Sequence, residues 1–88
     1  MGETAAREVS GIIPAGFVLY VHQACGDEAA TRVARELGLA VEDVDWAAWY
    51  PAADVVRVAQ VAYAETLDPD IGGRSADAFF RQAMEIGI

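Results

Sequence analysis

PAADVVRVAQVAYAETL, residues 51–67, keeps its polar side chains Asp54, Arg57 and Gln60 on one narrow stripe, with Glu65 near the end. Val55, Val56, Val58, Ala59, Val61, Ala62 and Tyr63 cover most of the remaining circumference. That pattern is helical in period, and Pro51 suits the first helical position because no N–H donor is needed there. A helix apolar around most of its surface is either central to a bundle or part of an interface. Both readings make an all-α domain in which this helix is a principal contact surface.

Toward the N-terminus, Asp27 stands where an N-cap belongs, and Ala30, Val33, Ala34 and Leu37 form an apolar stripe behind it. Glu28, Arg32 and Glu36 recur at spacings of four as a ladder of weak surface pairs, and Gly38 closes the helix in a left-handed conformation. Earlier still, Phe17, Tyr20, Val21 and Ala24 mark the buried face of a helix opened by Pro14 and ended by Gly26. Val18 and Leu19 widen that face. The β-forming run from Phe17 to Val21 also fits a strand. Beyond residue 67, Asp68-Pro69-Asp70-Ile71-Gly72-Gly73 reads as a turn. Ser75 then caps a last helix with Phe80, Ala83 and Met84 inside, Phe79 beside them, and Asp77, Arg81 and Glu85 outside. The predicted fold is a small bundle of about four helices, near 14–25, 27–37, 51–67 and 75–86. Residues 1–10 form a flexible polar N-terminus, and 11–88 a single helical domain.

Eighty-eight residues bury only about 60% of their unfolded surface, so the core is thin. The apolar fraction of 55% leans on alanine, which supplies little area per residue. A partner that adds burial is therefore expected: a second copy, or the remainder of a larger protein. The apolar ending Ile86-Gly87-Ile88 reads as a domain truncated at its C-terminus. Fourteen Asp and Glu oppose six Arg with no lysine, a net charge of −8 that repels nucleic-acid phosphates and anionic membranes. The most apolar run, Ile12 to Val21, is far short of the ~20 residues that cross a bilayer. One cysteine, Cys25, permits no internal disulfide and fits a cytoplasmic location.

Chemistry-bearing residues are few. His22 and Cys25, three apart on a helix, make half a metal site at most, and a packed histidine beside an inert buried thiol is the simpler reading. The pair also lacks the third group and oxyanion donors that a nucleophilic mechanism needs. Asp68 and Asp70 imitate the start of a calcium loop, yet the twelfth position is Phe79 where a bidentate glutamate is required. Gly72-Gly73 has no phosphate-loop lysine after it. Glu42, Asp43 and Asp45 read as a solvated connector. No catalytic, cofactor or metal residue is assigned, and the chain reads as non-enzymatic. Trp46, Trp49 and Tyr50 are the densest aromatics, expected to lock the core or line a pocket. With Val55, Val58, Ala62 and Phe80 they form the expected pocket or interface, open to a small apolar ligand.

The order of elements resembles the N-terminal helical part of the haem-nitric-oxide-binding family and its haemless relatives, which include bacterial proteins abundant in myxobacteria. The resemblance spans roughly residues 11–88. It is carried by Gly11-Ile12-Ile13 entering a helix, the Cys-Gly-Asp-Glu step at 25–28, and Glu36-Leu37-Gly38-Leu39. Tyr50-Pro51 before a long helix and Phe-Phe-Arg at 79–81 complete it. The family's haem-bearing histidine and its tyrosine–serine–arginine motif have no counterpart here. The resemblance thus implies a haemless sensory or regulatory signalling domain, acting as a homo-oligomer such as a dimer or within a larger protein. The charge alone gives the alternative: an acidic inhibitor or antitoxin-like protein that binds a basic partner.

Overall fold

The computed structural model describes residues 7–85. Among them are four helices: α1 (Ile12–Cys25), α2 (Asp27–Ala34), α3 (Ala52–Thr66) and α4 (Ile71–Glu85). The small all-α bundle expected from the sequence is the architecture, with one addition. A short antiparallel ribbon pairs β1 (Glu8–Ser10) with β2 (Trp49–Pro51), Val9 opposite Tyr50. Residues 8–10, expected to belong to a flexible N-terminus over 1–10, are thus a strand, and residues 1–6 of that expectation lie outside the described residues. Backbone bonds extend the ribbon on both sides, from Ala52 N to Arg7 O (2.9 Å) and from Gly11 N to Ala48 O (2.8 Å). Gly11 fits there for lack of a side chain, because a Cβ would overlap the Asp45 carbonyl and meet that of Ala48 at 2.8 Å.

The central helix is α1. It packs on α2, α3 and α4, whereas α3 packs mainly on α1 and α2. The criterion of being apolar all round, which pointed to residues 51–67, is met more fully by α1: Pro14, Gly16, Val18 and Val21 are all buried. Ala24, expected on its buried face, is exposed. Helix α1 starts at Ile12, ahead of Pro14, which the first turn tolerates because its N–H would have no helical partner.

Gly26 separates α1 from α2 with φ 95° and ψ −175°, a conformation reached almost only by glycine. Gly26 therefore occupies the N-cap position expected for Asp27, and Asp27 is the first helical residue. The expected helix over 27–37 is α-helical to Ala34 and tightens into a 3-10 turn at Arg35–Leu37. Gly38 follows at φ 71°, as expected. Bonds from Gly38 N to Arg35 O (2.9 Å) and from Leu39 N to Ala34 O (3.4 Å) complete a Schellman ending.

Helix α4 begins four residues before the expected start, so Ile71, Gly72 and Gly73 are helical rather than turn. Asp68 supplies the reason. Its backbone carbonyl accepts from Ile71 N (3.2 Å) and its carboxylate from Asp70 N (2.8 Å), providing acceptors where the chain enters the helix. Ser75 is consequently no cap; it lies mid-helix on the inward face with Ile71 and Ala78. That face sets Phe80 and Met84, expected inside, toward solvent, while Ala83 is half-buried.

The core consists of Val18, Val21, Val33 and Val58 with Ala29, Ala30, Ala34 and Ala62, closed by Ile71. Among the described residues no aromatic ring is fully buried, and the largest fully buried side chains are Val21, Val33, Val58 and Pro14. Small side chains let the helices approach closely. At the α1–α4 crossing, a Cβ on Gly16 would stand 2.9 Å from the Ser75 carbonyl oxygen.

Candidate functional site

The seven residues expected to form a pocket or interface do not come together. Val55, Val58 and Ala62 point inward from α3 and are buried. Trp46 and Trp49 are exposed, Trp49 by 63%, which corrects their expected role in locking the core. Tyr50 is half-buried and its hydroxyl accepts from Asp45 N at 2.8 Å, closing the connector loop. Phe80 is 61% exposed and stacks edge-on with Phe79 at 5.9 Å between centroids, while Phe79 meets Trp46 at 6.3 Å.

The outward side of α3 carries what the inward side lacks. Val56, Gln60, Tyr63 and Leu67 follow at i, i+4, i+7 and i+11 and so share one face. Val56, Tyr63 and Leu67 are all exposed, Leu67 by 72%. Leu67 ends the helix at φ 53° and ψ 30°, the left-handed region that β-carbons disfavour by roughly 1–2 kcal/mol. A large apolar residue thus occupies, exposed, the position where glycine is the ordinary choice. The period was legible in residues 51–67; which half faced out was not.

Charged side chains flanking α3 are tied back to the bundle. Arg32 grips Glu65 with two bonds, Nε to Oε2 (2.6 Å) and Nη2 to Oε1 (2.8 Å). Arg57 pairs with Asp54 and reaches Glu36 (3.6 Å). In place of the expected ladder of Glu28, Arg32 and Glu36, Arg32 of α2 and Glu36 of the 3-10 turn after it form bridges to α3. The hydrogen bonds from Arg32 hold the Glu65 carboxyl below its usual range, and those same bonds raise Arg32. Asp68 collects the Tyr20 hydroxyl (2.8 Å), Asp70 N and Arg74 Nε (2.8 Å), fastening the α3–α4 turn to α1. Its carboxyl is held low, first by the Tyr20 bond and then by the Asp70 N–H, and the Tyr20 hydroxyl is raised in return.

His22 and Cys25 form no half-site. His22 Nε2 lies 2.8 Å from Asp27 Oδ1, and the Cys25 thiol is exposed rather than buried, donating to Glu65 O at 3.5 Å. Among the described residues, no three His, Cys, Asp or Glu side chains group as metal ligands. No helix among them is long and apolar enough to cross a membrane.

Two hollows open beside α1. One, of about 270 Å³, lies against Ala15, Val18, Leu19 and His22 and is closed by Val41 and Val44. The other, of about 240 Å³, takes Ile12, Ile13, Gly16 and Phe17 from α1 and Gly72, Ser75, Ala76 and Phe80 from α4. Sequence reading placed a pocket near Phe80 and the two tryptophans, and the tryptophans are absent from this lining. The signal that could have found it is the pair of small residues Gly72 and Ala76, whose missing side chains leave space beside the tight Gly16–Ser75 crossing. No family model, curated protein or solved structure matches the chain.

Proposed function

We propose that this chain is a non-enzymatic regulatory domain that works by association through the outer stripe of α3. The observation that carries the reading is Leu67, exposed and left-handed at the end of a stripe that also exposes Val56 and Tyr63. A strained, solvent-facing leucine costs stability without giving burial in return, so a contact with something else is its rationale. The occupant favoured is a second copy of the chain. Gln60 is the single polar residue on the stripe, and the flanking Asp54, Arg57 and Glu65 are already paired within the bundle. The net charge of −8 therefore has little purchase along this line of contact.

Sedimentation velocity over a concentration series tests it. The wild-type chain is expected to associate, and Val56→Glu and Tyr63→Glu to remain monomeric with unchanged melting. Equal sedimentation of all three removes the stripe as an interface. A basic partner is the second reading. Arg32, Arg57, Arg74 and Arg81 are engaged internally, leaving the acidic excess for outside contacts. Salt-insensitive association would count against it.

A further inference from the structure

We infer that the face where α1, α4 and the acidic connector meet receives an amphipathic helix from a basic protein partner. This rests on the second reading above and gives it a surface, one separate from the α3 stripe. Ile12 and Ile13 of α1 face Phe80 of α4 across the hollow, and Phe79 joins Phe80 to Trp46. Met84 follows Phe80 one turn later on α4. Ile12, Ile13, Trp46, Phe80 and Met84 are all exposed, Met84 by 78%. Contiguous apolar patches of this breadth are uncommon on proteins that work alone and mark contact sites. Between Phe80 and α1, Gly72 and Ala76 leave a furrow of about 240 Å³ instead of a flat surface.

Charge and shape identify the occupant. Glu42, Asp43 and Asp45 lead into Trp46, and Glu85 follows Met84; all four acids are exposed, and none forms an ion pair with another described residue. Asp45 lies against the start of α1, since its carbonyl oxygen occupies the space that a Cβ on Gly11 would need. Arg81, next to Phe80, is held by Asp77 at 2.8 Å. Along the α3 stripe the flanking acids are paired, so a second copy can approach there. Here two copies would bring unpaired acids together, whereas lysine or arginine on a partner answers them. The furrow lies between two helices and offers no open sheet edge, so its occupant must pair its own backbone groups, as a helix does. Apolar side chains at i, i+4 and i+7 then enter between Ile13 and Phe80, while basic ones reach the acidic rim.

Three synthetic peptides of about five helical turns are the probes, followed by fluorescence anisotropy and by amide shifts of the full chain. One sets leucines at helical spacing among lysines, one has the same residues in an order without that spacing, and one has glutamate for each lysine. The first is expected to bind at low salt with a Kd of about 10–100 μM, shifting Ile12, Ile13, Phe80 and Met84 saturably. The second is expected to bind at least about 10-fold more weakly, and the third not measurably. Phe80→Ser and Met84→Ser, at exposed positions outside the core, are each expected to weaken the first peptide by about 5–10-fold, and Val56→Ser on the α3 stripe to leave it unchanged. Failure of the first peptide to bind the wild type overturns the proposal and the basic-partner reading together. Equal binding by the second peptide, or undiminished binding in Phe80→Ser and Met84→Ser, overturns the proposal alone and leaves a basic partner drawn by charge. Self-association of the wild type that Phe80→Ser abolishes gives this face to a second copy and likewise overturns it.

Discussion

Helix α1 is packed in two different ways on its two sides. Toward α2 and α3 it meets a closed core of valine and alanine, with Val21, Val33 and Val58 fully buried. Toward α4 it crosses on Gly16 and Ser75, and beyond that crossing Ile12, Ile13 and Phe80 stand open around a hollow. The first side is tight because small residues bring backbones together. The second is open because the same small residues are not matched by large ones that fill the space they leave. Side-chain size and structural role are thus inverted: small residues hold the fold, while both tryptophans and Phe80 lie at its surface.

The sharpest way to break this contrast is to cut into each side in turn. Val58→Ala is expected to cost about 2–3 kcal/mol in denaturant unfolding, the lost methyls plus a cavity in a core with no slack. Gly16→Ala is expected to cost about 1–3 kcal/mol, because the new Cβ presses on the Ser75 backbone and forces the helices apart. If either change is silent, the helices repack more freely than a closed core allows. Trp49→Ala is expected to cost less than about 1 kcal/mol, the usual range for a side chain this exposed. A loss above about 3 kcal/mol, as for a buried tryptophan, would return Trp49 to the core and erase the contrast.

Acid titration sharpens the comparison from the charged side. Asp68 and Glu65 have folded pKa values below their unfolded ones. The stability they contribute is therefore complete above the unfolded carboxylate pKa of about 4 and is lost as pH falls through the lower folded values. Melting temperature is expected to decline across that window. Asp68→Asn should flatten the decline; an unchanged acid limb in that variant would mean that Asp68 does not fasten the α3–α4 turn. Tyr20 acts oppositely, since its raised folded pKa means that its contribution is lost as pH rises past about 10.

Helix number and type were legible because 3.6-residue periods over residues 14–67 are long and interrupted by glycine and proline. The starts were less so. Asp27 and Ser75 have the chemistry of caps, but Gly26 stands before α2 and a turn in which Asp68 accepts from Asp70 N leads into α4, because capping depends on backbone geometry that composition does not specify. The ribbon of residues 8–10 with 49–51 was hidden because three-residue strands carry no readable period. Of the residues expected at a pocket or interface, Val55, Val58 and Ala62 are core and Phe80 is exposed. A helix apolar all round gives no sign of which half the rest of the bundle covers, so the stripe of Val56, Tyr63 and Leu67 needed coordinates to be seen. Ser75 was misread for a related reason: a serine hydroxyl suits a cap, and only the crossing with Gly16 shows it buried.

Leu67→Gly tests most directly whether the exposed apolar side chains serve contact rather than fold. Glycine relieves the left-handed strain, so melting is expected to rise or hold, by up to about 1 kcal/mol in stability, while concentration-dependent association weakens. A variant that melts lower and associates as the wild type does would place Leu67 in the fold and leave α3 without an interface.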